Sequence, residues 1–250
     1  MILSVGNLRF SYNSHPVIED VSFDLEKGRL LAILGVNGAG KSTLLKCINR
    51  VLRPQTGSVC LGTEDLHRLS QNAIARRMGY VPQHHPQMNL TVYESVLLGR
   101  RPHMGLTVSQ TDYATVDRII RQMGLSHLAL RPVSDLSGGE AQKVMIARSL
   151  AQSPAILLLD EPTSNLDLKN QMEVMALIRS AVSSQGLMAI VAIHDLNLAV
   201  RFADHFLFIK DHRIHAMANG DELNAETIEA VYGVKVFIQE VGGHQVVVPV

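Results

Sequence analysis

The sequence lacks a surplus of either charge: 23 basic side chains stand against 23 acidic ones, so the formal net charge is zero. That balance argues against a general nucleic-acid-binding protein, whose partner demands a basic surplus. Cysteine is nearly absent. Cys47 and Cys60 are too few for a disulfide framework, and both are expected as small buried hydrophobes in a reducing compartment. Long apolar runs are missing as well. The longest, Leu187 to Ile193, has seven residues, where a membrane-spanning helix needs about 20. No basic stretch followed by an apolar one opens the chain, so no signal peptide is expected and the chain reads as cytoplasmic and soluble. A peripheral subunit of a membrane assembly needs no span of its own and fits the same composition. Internal repeats, low-complexity segments and Pro/Gly/Ser-rich linkers are also lacking in these 250 residues. At about 150 residues per domain, that length means one large domain or two intimate lobes.

What is present suffices for a sizeable core, with 46% hydrophobic and 18% charged residues. Ile2 to Leu25 is rich in alternating β-formers and is broken by Asn13-Ser14-His15-Pro16, which predicts antiparallel strands around a turn. Arg29 to Gly35 reads as a short buried strand running into a glycine-rich loop, followed by a helix over Lys41 to Val51. From about Leu90 to Leu150 the spacing is helical, as in Val116, Ile119, Ile120 and Met123. Ala155 to Leu159 and Leu187 to Ile193 are continuous apolar runs of strand length, suited to a parallel sheet covered on both faces. Between them Met175, Ile178 and Val182 share one helical stripe. The alternation points to a doubly wound α/β core with the helical middle as an insertion. The tail beyond Lys235, with Val236, Ile238 and Val246 to Val248, reads as a closing β-hairpin.

Gly35-Val36-Asn37-Gly38-Ala39-Gly40-Lys41-Ser42 matches the phosphate-binding pattern G-x-x-x-x-G-K-[ST]. Glycines let the backbone curl until successive N–H groups face one anion, and the following helix adds its positive end. Lys41 then reaches the β- and γ-phosphates while the Ser42 hydroxyl can ligate Mg²⁺. A strand before the loop and a helix after it are the required context. Ile156-Leu157-Leu158-Leu159-Asp160-Glu161 supplies carboxylates at a strand end: Asp160 for Mg²⁺ and Glu161 to polarise an attacking water. Surface acids at a strand end are the plain alternative, which the phosphate loop makes less economical.

At this point the chain resembles the ATPase subunits of ATP-binding-cassette (ABC) transporters. Leu136-Ser137-Gly138-Gly139-Glu140 is similar to that family's signature segment. Tyr12 resembles the aromatic residue that stacks on adenine, and Gln83 in Tyr80-Val81-Pro82-Gln83 resembles the Q-loop glutamine, a further Mg²⁺ contact. Ser164-Asn165-Leu166-Asp167 is similar to the D-loop, and His194 in Ile193-His194-Asp195 to the switch histidine. The resemblance implies an α/β fold: a P-loop NTPase core with a mostly parallel sheet, an antiparallel β subdomain and an inserted α-helical subdomain. It implies one nucleotide-binding domain over residues 1–250, with the helical insertion at about 88–150. Its nucleotide contacts fall on Tyr12, Gly35, Asn37, Gly38, Ala39, Gly40, Lys41, Ser42, Thr43, Ser137, Gly138, Gly139 and Asp167. Glu161, His194 and Gln83 become the catalytic set, and ATP and Mg²⁺ the bound species. Two copies would face head to tail, ATP lying between the loop of one and Ser137, Gly138 and Gly139 of the other.

Two positions depart from the family pattern. Glu140 stands where glutamine is usual, and is expected either to face the nucleotide or to pair inward with a neighbour such as Lys143. Asn165 stands where alanine is common. Gly99-Arg100-Arg101-Pro102-His103 and His194-Asp195-Leu196-Asn197-Leu198-Ala199 resemble importers of iron–siderophore, haem, cobalamin or molybdate type. Integral membrane permease subunits and a substrate-binding protein would then be partners, and the chain would sit peripherally on the cytoplasmic face of the inner membrane. The surface between Gln83 and His103 would receive a permease helix; a solvated basic turn is the simpler reading of Arg100, Arg101 and His103. A soluble assembly ATPase of the same fold, as in iron–sulfur cluster biogenesis, remains the other reading. The pairs His84-His85 and His212-x-x-His215 lack the context of a zinc site and read as loop or surface residues.

Overall fold

The alternating N-terminal segment forms β1 (Ile2–Tyr12) and β2 (His15–Glu26), antiparallel, with Asn13 and Ser14 turning the chain in left-handed conformations. A computed structural model of the chain describes residues 1–83 and 89–250, which fall into two units: Met1–Arg68 with Ala181–Val250, and Leu69–Ser180. His84-His85, and Met88 at the expected start of the helical insertion, lie outside the described residues.

The first unit continues with β3 (Leu30–Leu34), buried at every position, and α1 (Lys41–Ile48). This helix is shorter than the spacing predicts. It stops at Ile48 because Arg50 turns left-handed (φ 54°) and Leu52 N–H bonds back to Lys46. β4 (Thr56–Leu61) and β5 (Glu64–Asp65) complete an antiparallel sheet in the order β2-β1-β4-β5. Cys47 is buried, which pushes its thiol up to about 12, whereas Cys60 is half-buried rather than enclosed as expected.

The second unit opens with α2 (Gln71–Ala75) and β6 (Met78–Val81), then carries α3 (Val92–Leu98), α4 (Gln110–Gln122) and α5 (Gly138–Ala151). The expected stripe of Val116, Ile119, Ile120 and Met123 is buried. β7 (Ile156–Asp160) lies parallel to β6, with Val81 opposite Leu159, so both strands end at one edge. α6 (Leu168–Gln185) follows, with Met175, Ile178 and Val182 buried along it as the spacing predicts.

Returning to the first unit, β8 (Met188–Ala192) and β9 (His205–Lys210) flank β3 in parallel, and β10 (Arg213–Asn219) pairs antiparallel with β9. α7 (Leu196–Phe202) and α8 (Ala225–Tyr232) pack on this sheet. The tail forms the expected hairpin, β11 (Val236–Val241) with β12 (His244–Pro249). The chain is thus α/β, with a parallel core, antiparallel strands and a helical middle.

Arg100 is not part of a solvated turn. It is 7% exposed; its Nε donates to Asp112 Oδ1 (2.9 Å), and its Nη1 donates to the Ala151 carbonyl (2.8 Å) and Ser153 Oγ (3.2 Å). Nearby, a ring nitrogen of His103 bonds the Gln152 carbonyl at 2.8 Å. The motif thus ties the end of α3 to the start of α4 and the end of α5. Hydrogen bonds from Ser109, then Arg100, hold the Asp112 carboxyl at about 2, below its ordinary 3.8. Asp112→Ala would strand the buried guanidinium, and we expect a loss of roughly 3–5 kcal/mol at neutral pH. Because the folded value is depressed, the wild-type advantage should be complete above about pH 4 and fade as pH falls toward 2. Denaturant unfolding of both chains across that range checks it.

Candidate functional site

In the first unit β3 delivers the chain directly into the glycine-rich loop. Gly35, Gly38 and Gly40 all take positive φ (152°, 80° and 103°), and Ala39 N–H closes on the Val36 carbonyl at 3.2 Å. Gly40 tolerates no side chain: a Cβ there would sit 2.6 Å from the Val17 carbonyl oxygen. Lys41, 4% exposed, folds back across the loop. Its Nζ donates to the carbonyls of Gly35 (2.7 Å) and Val36 (3.0 Å). The ammonium is thereby held at the mouth of the loop, while Asn37 and Gly38 are exposed.

The start of α1 distinguishes the loop from a glycine-bearing turn. Every other described α-helix begins with a side-chain cap: Ser70, Thr91, Ser109, Ser137, Asp167, Asp195 and Asn224 each accept a backbone N–H. The α1 cap position is Gly40, which offers no side-chain acceptor. A helix start without an internal cap, next to a buried ammonium, is the donor set that a phosphate satisfies. Ser42 and Thr43 occupy the first turn of this helix, both half-buried.

Two more expected residues share this unit. His194 follows β8, which runs parallel to β3, so it leaves the sheet at the same edge as the loop, and it is exposed. Asp195, beside it, caps α7 through the N–H groups of Asn197 and Leu198. Tyr12 ends β1, 46% exposed, with its ring edge-to-face against Phe10 at 4.8 Å. One contact escaped the sequence: the Gly35 N–H donates to Tyr232 Oη at 3.0 Å. Burial pushes the Tyr232 phenol up to about 12. No spacing signal links residues this far apart; only the packing of α8 reveals the tie.

In the second unit the parallel ends of β6 and β7 bring Gln83, Asp160 and Glu161 to one edge. The Gln83 amide donates to Glu161 Oε2. Asp160 is 3% exposed and accepts the Tyr80 hydroxyl at 3.3 Å, while burial and that carboxylate raise the Tyr80 phenol. Tyr80 is a positioning residue that sequence reasoning passed over, although its place on β6 opposite Leu158 sets it near the strand end. Glu161 takes a left-handed backbone (φ 49°), as does Asn165 (φ 60°). Such conformations cost of order 1–3 kcal/mol in side-chain-bearing residues and gather at functional sites. Among the described residues no group of three or more His, Cys, Asp or Glu side chains forms a resident metal centre.

The segment Ser137-Gly138-Gly139 opens α5. Ser137 and Gly138 are exposed; Gly139 is buried, and a Cβ there would lie 2.4 Å from Asn170 Oδ1. Asn170 in turn bonds Asp167, whose carboxylate caps α6. Glu140 does not pair with Lys143, one of the two expected alternatives. Lys143 binds Glu173, and Glu140 folds back onto Ser137 in a capping box.

Comparison with known proteins places this arrangement. A family model described as ABC transporter matches residues 18–164. An uncharacterized ABC transporter ATP-binding protein of Methanocaldococcus jannaschii is 48% identical over all of this chain and 98% of its own. The ferric enterobactin transport ATP-binding protein of Escherichia coli is 36% identical, covering 100% of this chain and 96% of its own. Among solved structures, an inward-facing metal-chelate type ABC transporter superposes with a TM-score of 0.86 at 32% identity, over 99% of this chain and 96% of that one. A dimeric ATP-binding cassette bound to ADP and Pi gives 0.76 at 26% identity, over 87% and 98%. By sequence and by fold, this chain belongs to the ABC transporter family.

Proposed function

We propose that the chain is the ATP-hydrolysing subunit of an importer for metal chelates, of the iron–siderophore, haem, cobalamin or molybdate kind. The start of α1 beneath a loop that holds Lys41 by two carbonyls supports the nucleotide site, and the likeness to a ferric enterobactin transport ATP-binding protein and to a metal-chelate type transporter supports the importer. In this reading the backbone from Gly35 to Ser42, with Thr43, grips the phosphates, and Tyr12 stacks on adenine for about 1–3 kcal/mol. Asp160, Ser42 and Gln83 hold Mg²⁺, which when bound offsets charge on the phosphate oxygens. Their chemistry suits that ion: a carboxylate, a hydroxyl and an amide oxygen are hard oxygen donors.

Hydrolysis joins a water oxygen to the γ-phosphorus and breaks its bond to the β–γ bridging oxygen. Glu161 accepts the proton of that water, and Gln83, already bonded to Glu161, orients the base. His194 hydrogen-bonds the γ-phosphate and responds to its loss. Ser137, Gly138 and Gly139, with Asp167, act on the nucleotide of a second copy, so the working unit is a head-to-tail dimer of single nucleotide-binding domains spanning residues 1–250. The surface between Gln83 and His103, where the helical segment of about 88–150 begins, receives a helix of the integral permease subunits, which act with a substrate-binding protein. No helix among the described residues is long and apolar enough to cross a membrane, consistent with a peripheral place on the cytoplasmic face.

Glu161→Gln keeps the shape and removes the base. We expect turnover in the assembled complex to fall by about 10²–10⁴-fold with ATP affinity retained; unchanged turnover would show that another group accepts the proton. Purification of the tagged chain from detergent-solubilised membranes tests the partners. Recovery with an integral membrane subunit is the expected result, and recovery with soluble scaffold proteins alone would instead favour an assembly ATPase.

A further inference from the structure

The Ser137 hydroxyl has one proton to give, and in this structure it gives that proton to its own helix. Ser137 Oγ donates to Glu140 Oε2 at 2.8 Å, and the same carboxylate oxygen takes the Ser137 backbone N–H at 2.9 Å. The Glu140 N–H returns to Ser137 Oγ at 3.4 Å. The box holds an ionised acceptor: the Ser137 bonds draw the Glu140 carboxyl below its usual range, with Arg131 and His127 adding to the same effect. Glu140 is half-buried, whereas Ser137 and Gly138 face outward. The neighbouring cation Lys143 is engaged by Glu173 and leaves this carboxylate alone.

We propose that Glu140 is a built-in competitor for the γ-phosphate, setting the ATP concentration at which two copies close. This rests on the reading of Ser137 as a phosphate contact across the dimer. To donate to a phosphate oxygen, Ser137 Oγ must surrender its bond to Glu140, and it must do so with that carboxylate's negative charge beside the incoming phosphate. A glutamine at the same position would keep the cap through its amide oxygen and remove the charge. Glutamate thus stabilises the open form of the signature segment, and glutamine the closed one. Glu140 acts through Ser137 and touches no reacting atom, so its effect falls on assembly and not on the chemical step.

The test compares Glu161→Gln with the double variant Glu161→Gln/Glu140→Gln, following dimer formation against ATP concentration by analytical ultracentrifugation. Helix content and thermal midpoint of each chain are measured alongside, since a merely structural cap would move those and not the titration. The expected result is half-maximal dimer at an ATP concentration lower by about fivefold in the double variant, the scale of removing one partly screened charge near the phosphate. Adding Ser137→Ala to each chain should shrink that difference, and an undiminished difference would overturn the competition through Ser137. An equal or higher midpoint in the double variant would overturn the competition while leaving the two-copy reading in place. Absence of dimer in both chains at saturating ATP would overturn the two-copy reading, and the competition with it.

Discussion

A helix that starts without a cap, beside an ammonium held in its own loop, is the constraint on which the rest of this molecule depends. Lys41 is almost fully buried, and its ammonium donates to the Gly35 and Val36 carbonyls. The cap position of α1, Gly40, offers no side-chain acceptor. A bound anion stabilises a helix start and a buried ammonium together. The scaffold is arranged to preserve this. β3 is buried at all five positions, the Val17 carbonyl crowds Gly40, and Tyr232 receives the Gly35 N–H. A glycine loop alone would be pliant; these contacts fix its shape before any ligand arrives.

The second unit carries a different kind of preparation. Its parallel strands bring two carboxylates and an amide to one edge, and each is already engaged: Gln83 with Glu161, Tyr80 with Asp160. Glu161 holds a left-handed backbone at this point. Ser137 is likewise engaged, with Glu140. The groups proposed for chemistry therefore rest in internal hydrogen bonds, and a substrate must exchange those bonds for its own. Exchange of partners costs less than exposing a bare buried group, which suits the proposed opening and closing of two copies around ATP.

Much of this was legible in the sequence, because the strongest signals are local. The buried runs behind β3, β7 and β8, the glycine loop, the acids at the end of β7 and the terminal hairpin all follow from residues adjacent in the chain. What sequence reasoning missed depends on distance or on conformation. Tyr232 reaches Gly35 across 197 positions, and no periodicity reports such a contact. The predicted length of α1 failed because Arg50 turns left-handed, which its type does not announce. Arg100 read as a solvated charge because arginine is seldom enclosed; only the fold shows Asp112 and two further acceptors around it. For Glu140 the sequence leaves an outward and an inward reading open, and only the folded segment shows the capping box with Ser137.

If the phosphate chain, and not the base, supplies the grip, affinity must collapse when the β- and γ-phosphates are removed. Calorimetric titration of the purified chain with ATP and with AMP measures this directly. The arrangement around Lys41 requires AMP to bind at least about a hundredfold more weakly than ATP, a difference near 2.7 kcal/mol. AMP binding as tightly as ATP would contradict it, and would move the recognition from the start of α1 to the base.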